Sequence, residues 1–265
     1  MDQYERRFGG IGRLYGKEGL ERCRRAHVCV VGLGGVGSWA VEALARSGIG
    51  ELTLMDLDDV CISNVNRQLH AVTGELGKPK VEVMAQRVRA INPDCVLHPL
   101  QAFFLKSNAE EILNTPFSAV LDAIDSPSRK AVLIALCRER NIPIVTTGGA
   151  GGRRDPTSVE VTDLAFASHD RLLREVRRLL RRRYGFPRGN RAFGVECVVS
   201  REAVMFPGKD GAVCAQRPDA PDLRLDCASG FGTASFVTGT FGFVAASRIV
   251  AMLIAKRGQP RMALG

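Results

Sequence analysis

The run "VCVVGLGGVGSWA", residues 29–41, leads an apolar strand into a glycine turn and then into a helix. Gly32, Gly34 and Gly37 fit the spacing G-x-G-x-x-G. Glycines there let the backbone approach a phosphate, and the helix behind them offers unpaired N–H groups and a positive dipole end. Such a turn belongs at the carboxyl end of the first strand of a doubly wound sheet. It serves nicotinamide, flavin and adenine nucleotides alike, so it restricts the fold before it restricts the chemistry.

The first half of the chain keeps the rhythm this turn requires. Strand signals fall at residues 27–32, 51–56, 96–99, 119–123 and 143–146, and helix signals at 37–46, 80–91, 109–113 and 129–139. The alternation predicts an α/β, Rossmann-like fold: a mostly parallel sheet with helices on both faces. After Gly152 the rhythm breaks into β-prone runs at 158–162, 197–200 and 203–206, an arginine-rich helix starting near Ser168, and a closing apolar helix. With no linker or repeat visible, we expect one domain over 1–265, with a nucleotide-binding part over 1–152 and a smaller β-containing half over 153–265.

Composition narrows the setting. The start "MDQYERRFGG" has no apolar core of a secretory signal. Eight cysteines are scattered without a C-x-x-C pair, which argues against a zinc ribbon and suits reduced thiols in a cytoplasm. The stretch 235–255 approaches bilayer length, but Arg248 and several glycines and threonines dilute it. A core or dimer helix is the expected reading, with peripheral membrane contact the lesser one. The net charge of +9 is unevenly spread: residues 171–191 hold nine arginines against one acid, Glu175. Leu172, Leu173, Val176, Leu179 and Leu180 form the apolar stripe of that helix, so Arg174, Arg177, Arg178, Arg181 and Arg182 cover the remainder. A face of one sign points to nucleic-acid phosphates, which supply affinity rather than sequence choice.

The residues after the second strand separate the nucleotide classes. Asp56, nineteen residues after Gly37, suits ribose hydroxyls in NAD and ATP enzymes alike. A dehydrogenase then needs a dry wall for its nicotinamide. This chain instead has Asn64, Asn66, Arg67, Gln68 and, thirteen residues beyond Arg67, Lys80. A guanidinium and an ammonium beside a glycine turn suit a polyphosphate and the charge that develops on it. Each also has an ordinary role: Arg67 pairing with Asp58 or Asp59, Lys80 opening a helix. Asp125, after the strand with Asp122, fits one carboxylate of a Mg²⁺-bridged triphosphate, or a helix-cap role beside Ser126 and Ser128. The glycines of "TTGGAGG" either form a plain turn or turn backbone N–H groups toward an acyl phosphate.

In order, G-x-G-G-V-G (Gly32 to Gly37, with Gly35), D-x-D (Asp56, Asp58), N-x-N-R-Q, K-P-K and D-x-x-D-S resemble the ubiquitin-activating-enzyme superfamily, which includes the bacterial adenylating enzymes of molybdopterin and thiamine biosynthesis. That resemblance implies ATP with Mg²⁺, attack of a carboxylate on the α-phosphate, and a homodimer. It implies Asp56 as the ribose ligand, Asn66, Arg67, Gln68 and Lys80 as phosphate contacts, and Asp125 as the metal-linked carboxylate. It also implies an N-terminal arginine in the partner's active site, here Arg7, or else Arg6 or Arg13.

Segments outside that core, "RFGG", "RLYG", "DPT", "VTDLA" and "DCASGFGTAS", resemble the tRNA threonylcarbamoyladenosine dehydratase branch. This implies ATP-driven closure of a modified adenosine's carboxylate onto its own carbamoyl group, with tRNA as partner. Tethering makes such closure fast without a covalent enzyme intermediate. Alternatives on the same site are adenylation of a ubiquitin-like or sulfur-carrier C-terminus, and a non-catalytic partner in a sulfur relay. Cys227 is a candidate acyl acceptor, although a cysteine among small residues is more often packed. The four histidines show no ligand spacing, and His70 is expected to be structural.

Overall fold

β1 (His27–Val31) is buried along all five residues, as expected of a central parallel strand covered on both faces. In the computed structural model, which describes residues 2–208, 211–215 and 231–255, it lies inside a seven-stranded sheet. The other strands are β2 (Glu51–Met55), β3 (Val96–Leu100), β4 (Ala119–Asp122), β5 (Ile144–Thr147), β6 (Val159–Asp163) and β7 (Glu196–Ser200), in the order β3-β2-β1-β4-β5-β7-β6. All neighbours run parallel except β6, which pairs antiparallel with β7 at the edge. Strand order reverses between β1 and β4. The loops after these two strands therefore diverge around a crevice, the usual ligand position in open α/β sheets.

The helices cover both faces. On one side α2 (Gly37–Arg46), α3 (Lys80–Ile91) and α7 (Ser235–Ile254) share an apolar layer with the sheet; on the other, α4 (Ala109–Leu113), α5 (Pro127–Glu139) and α6 (Arg171–Arg183) share a second layer. The C-terminal half is thus not an appendage: β6 and β7 extend the same sheet, and α7 lies beneath its centre. The run expected as a strand at 203–206 is irregular up to Met205. Only Phe206–Pro207 (β8) pairs, with Val213–Cys214 (β9), in a small hairpin.

α7 has a hydropathy and length sufficient to cross a bilayer. Its Val237, Phe241, Ala245 and Ile249 are fully or almost fully buried against α2 and the sheet, while Phe236 and Phe243 are exposed. Arg248 leaves the apolar face through a two-pronged pair with Glu196 at 2.8 and 3.1 Å. An N-terminal helix, α1 (Gln3–Arg25), was not signalled by the sequence. It bends at Gly16, whose φ of 79° breaks the helical run, and Tyr4 anchors it by donating to the Gly48 carbonyl.

Candidate nucleotide site

The crevice at the strand reversal opens into a cleft of about 1000 Å³, at the upper end of small-molecule pocket sizes. Its floor is the glycine turn. Gly32 has φ of 93°, and a Cβ there would lie 2.8 Å from the Ala123 carbonyl oxygen. The turn is tied down on its far side, where the Asp56 carboxylate accepts from the Leu33 N–H at 2.6 Å and from the Asp58 N–H at 2.9 Å. Burial raises the Asp56 carboxyl above its ordinary range, opposed by Lys80 and these two backbone donors. Lys80, buried at the start of α3, reaches Asp58 at 2.9 Å and Asp56 at 4.0 Å. Removing an ammonium from water is costly unless carboxylates face it, so this cation is fixed at the wall.

Gly32, Gly34, Gly35, Asp56, Asp58, Arg67, Gln68, Lys80 and Asp125 all line this cleft. Arg67 pairs with neither Asp58 nor Asp59; it donates to the Ser63 carbonyl at 2.6 Å and to the Asn66 side chain at 3.0 Å. Gln68 is buried, and its Oε1 has no partner among the described residues. Asp125 is exposed, whereas the nearby Asp122 is fully buried with Lys130 at 2.9 Å and Thr146 at 2.7 Å. Of these two carboxylates only Asp125 is available to a ligand.

Three residues take other positions. Gly37 does not line the cleft: its Cβ position lies 1.8 Å from the Gly32 carbonyl oxygen, so it permits the turn-to-helix packing. Asn66 turns outward, donating to the Thr233 carbonyl at 2.9 Å. That bond joins the segment before α7 to the rim. Arg7 is exposed on α1 and reaches the Ile91 carbonyl at 3.3 Å, outside this chain's own cleft. Cys227 lies outside the described residues. The buried thiols of Cys23, Cys95 and Cys137 are pushed up to about 11, 12 and 12 by desolvation, which leaves them as packing groups.

The far half of the cleft was only partly legible. Gly148 to Gly151 and Arg153 line it, as do Asp170, Arg171 and Arg174 from the start of α6. Asp170 makes the junction. One oxygen caps α6 through the Leu173 N–H at 2.8 Å, and the other accepts from the Gly149 N–H at 2.8 Å and faces Arg153 at 3.4 Å. Arg153 also donates to the Ser200 carbonyl at 2.8 Å. The quoted "TTGGAGG" run pointed toward this place, but nothing in the spacing linked it to Asp170. Arg129, stacked 4.0 Å above the Phe103 ring in the cleft wall, carried no motif signal.

From Arg174 a basic groove continues along α6, lined also by Arg177, Arg178, Arg181 and Arg182. Arg174, Arg178 and Arg182 are exposed. Arg177 and Arg181 are half-buried, the latter bonded to the Pro187 carbonyl at 3.1 Å. Burial lowers the Arg177 guanidinium, with Arg181 adding to the effect.

Comparison with known proteins agrees with this geometry. The ThiF family profile matches residues 4–263. The tRNA threonylcarbamoyladenosine dehydratase of Escherichia coli is 50% identical over 96% of both chains, and that of Haemophilus influenzae 47% identical over 97% of both. The solved structure of the E. coli tRNA N6-threonylcarbamoyladenosine dehydratase in complex with ATP superimposes with a TM-score of 0.85, at 46% identity and 96% coverage of each chain. The chain belongs to the ThiF family.

Proposed function

We propose that this chain is an ATP-dependent enzyme that cyclises threonylcarbamoyladenosine in tRNA, next to the anticodon. The observation that carries the reading is continuity: Arg174 lines both the phosphate-binding cleft and the arginine groove, so one substrate reaches both. The E. coli relative of that name supports it, being similar from end to end and solved with ATP and with AMP.

In this reading the ribose is held at Asp56 and the triphosphate lies over Gly34 and Gly35, between Arg67 and Lys80. A carboxylate oxygen of the threonyl group attacks the α-phosphorus, and the bond to pyrophosphate breaks. The carbamoyl group then attacks the acyl carbon, loses a proton and expels AMP, for a net loss of one water from the nucleoside. Arg67 and Lys80 stabilise charge that grows on the phosphate oxygens, a role preorganised cations fill without reorganising. Mg²⁺ would sit at the exposed Asp125 and neutralise phosphate charge, since this hard cation binds through one or two carboxylates plus phosphate oxygens. The basic groove holds the anticodon arm through its phosphates.

The proposal includes a homodimer, in which the exposed Arg7 serves the partner's site, and a cytoplasmic setting. It also includes one domain over 1–265 with the nucleotide part at 1–152. The test supplies ATP and tRNA bearing the modified nucleoside, and reads the nucleoside by mass spectrometry. Loss of one water with AMP release is expected. An unchanged nucleoside with protein that still binds ATP overturns the reading and turns attention to adenylation of a sulfur-carrier C-terminus.

A further inference from the structure

The four histidines show no ligand pattern along the chain, yet the sheet brings two of them together. His27 stands opposite Glu51 across β1 and β2, and His98 stands opposite Thr53 across β2 and β3. Glu51 and Thr53 are two residues apart on one strand, so all four side chains emerge on one face. His27 and Glu51 open their strands, and Thr53 and His98 are the middle residues of theirs. The glycine turn is at the other end of β1, about 16 Å away at 3.3 Å per residue.

The side chains converge. His98 Nε2 is 2.8 Å from Glu51 Oε1, and His27 Nδ1 is 3.4 Å from the same oxygen. One donor atom from each residue lies within 4.8 Å of the other two. A tetrahedral ion with bonds of about 2.0–2.1 Å holds its ligand atoms about 3.3 Å apart. Small side-chain rotations therefore close the site with no backbone movement.

The His27 ring is already oriented. Its Nε2 is 2.8 Å from Thr53 Oγ1, and the Phe117 ring meets it edge-on with centroids 4.8 Å apart. Fixing the remote nitrogen is how proteins aim a metal-binding imidazole. Glu51 is half-buried and His98 exposed, leaving an entry path and room for a water as fourth ligand.

We propose that His27, Glu51 and His98 form a second site, for a divalent first-row metal ion, with Zn²⁺ the best match to two imidazoles and one carboxylate. Bound there, the ion ties the starts of β1 and β2 to the middle of β3, as a clip on one edge region of the sheet. It takes no part in the chemistry at the opposite end.

The test uses the untagged, metal-stripped full chain, with Zn²⁺ alone as ligand, by equilibrium dialysis and thermal melting. One equivalent binds and raises Tm by several degrees. His98→Ala, at an exposed position that folding does not need, and Glu51→Gln each weaken binding by more than the about hundredfold upper range of an outer-shell loss. Thr53→Val weakens it by about tenfold to a hundredfold. Co²⁺ bound in place of Zn²⁺ gives a spectrum without thiolate charge transfer, which separates this site from the exposed Cys61. Failure of the wild-type chain to take up Zn²⁺, binding indifferent to His98→Ala and Glu51→Gln, or a thiolate band with Co²⁺ overturns the proposal.

Discussion

Lys80 and Asp125 present their charges to the cleft in different physical states. Lys80 is buried and already faces two carboxylates, so Lys80→Ala removes the proposed phosphate contact and also leaves Asp56 without its cation. AMP formation is expected to disappear and Tm to fall. Asp125 is exposed, so Asp125→Ala should abolish AMP formation with Tm and circular dichroism unchanged. Nucleotide release assays and melts on the two variants separate these outcomes, and full turnover in either refutes its role. His70 behaves differently. It is buried beside the site, neither ring nitrogen has a partner among the described residues, and desolvation with help from Lys80 pushes it down to about 4. The unfolded chain takes up this proton near 6.5 and the folded chain only near 4. The neutral ring's contribution to stability is therefore complete above 6.5 and lost progressively as pH falls toward 4. Melts between pH 7.5 and 4.5 should show this decline, and His70→Gln should flatten it. At this scale, Asp56 and Asp125 were placeable because they come just after strands that read as apolar runs, and Arg67, Gln68 and Lys80 because they follow in the loop and helix start after the second strand. Asp170 and Arg129 were not, because their importance depends on what lies opposite them in space.

Among the elements, α6 carries two jobs on two faces. Leu173, Val176, Leu179 and Leu180 are buried against α5 and the sheet, which frees the opposite face for charge. Replacing Arg174, Arg178 and Arg182 by glutamine should weaken tRNA binding and flatten its salt dependence. Each lost phosphate contact removes about 0.7–0.9 from the slope of log affinity against log salt. Filter binding across a salt series checks this, and an unchanged slope assigns the face to solvent. The half-buried Arg177 and Arg181 belong partly to the packing, so their variants confound binding with stability. α2 and α7 meet more closely than any sequence pattern announces. A Cβ at Gly242 would lie 2.5 Å from the Val36 carbonyl oxygen and 2.9 Å from the Ala40 nitrogen. Gly242→Ala must push two helix backbones apart, and should cost about 1–3 kcal/mol, toward the upper end because the obstacle is backbone. Denaturant melts measure it. A loss below a few tenths would mean that α7 shifts freely over α2.

Across the whole molecule, β1, β2, β4 and β5 were legible because buried parallel strands read as apolar runs, and the half-exposed edge strand β3 and the intervening helices by their place in the strand–helix alternation. The placement of the C-terminal half was not. Runs 158–162 and 197–200 showed as β-prone, but nothing local indicates that β7 docks beside β5 or that β6 turns back along it. Likewise α1 was not read from the sequence, and it is fixed by distant contacts such as Tyr4 to Gly48. The pairing of His27 with His98 is of the same kind: a product of strand order, invisible to spacing.

The position of α7 has a consequence for how the molecule is made. The Thr238 hydroxyl donates to the Arg67 carbonyl at 3.3 Å, and Thr238 packs under Gly35. The last described helix thus supports the loop at the start of the cleft. On a ribosome adding about 5–20 residues per second, the stretch from the end of β5 to the end of α7 takes roughly 5–20 seconds to emerge. During that interval the apolar faces of α2 and β1 are synthesised but uncovered, and the glycine turn lacks its support. A nascent chain in this state is a client for chaperones and a poor ligand for ATP. A firm grip on ATP therefore marks a chain whose synthesis has run through α7.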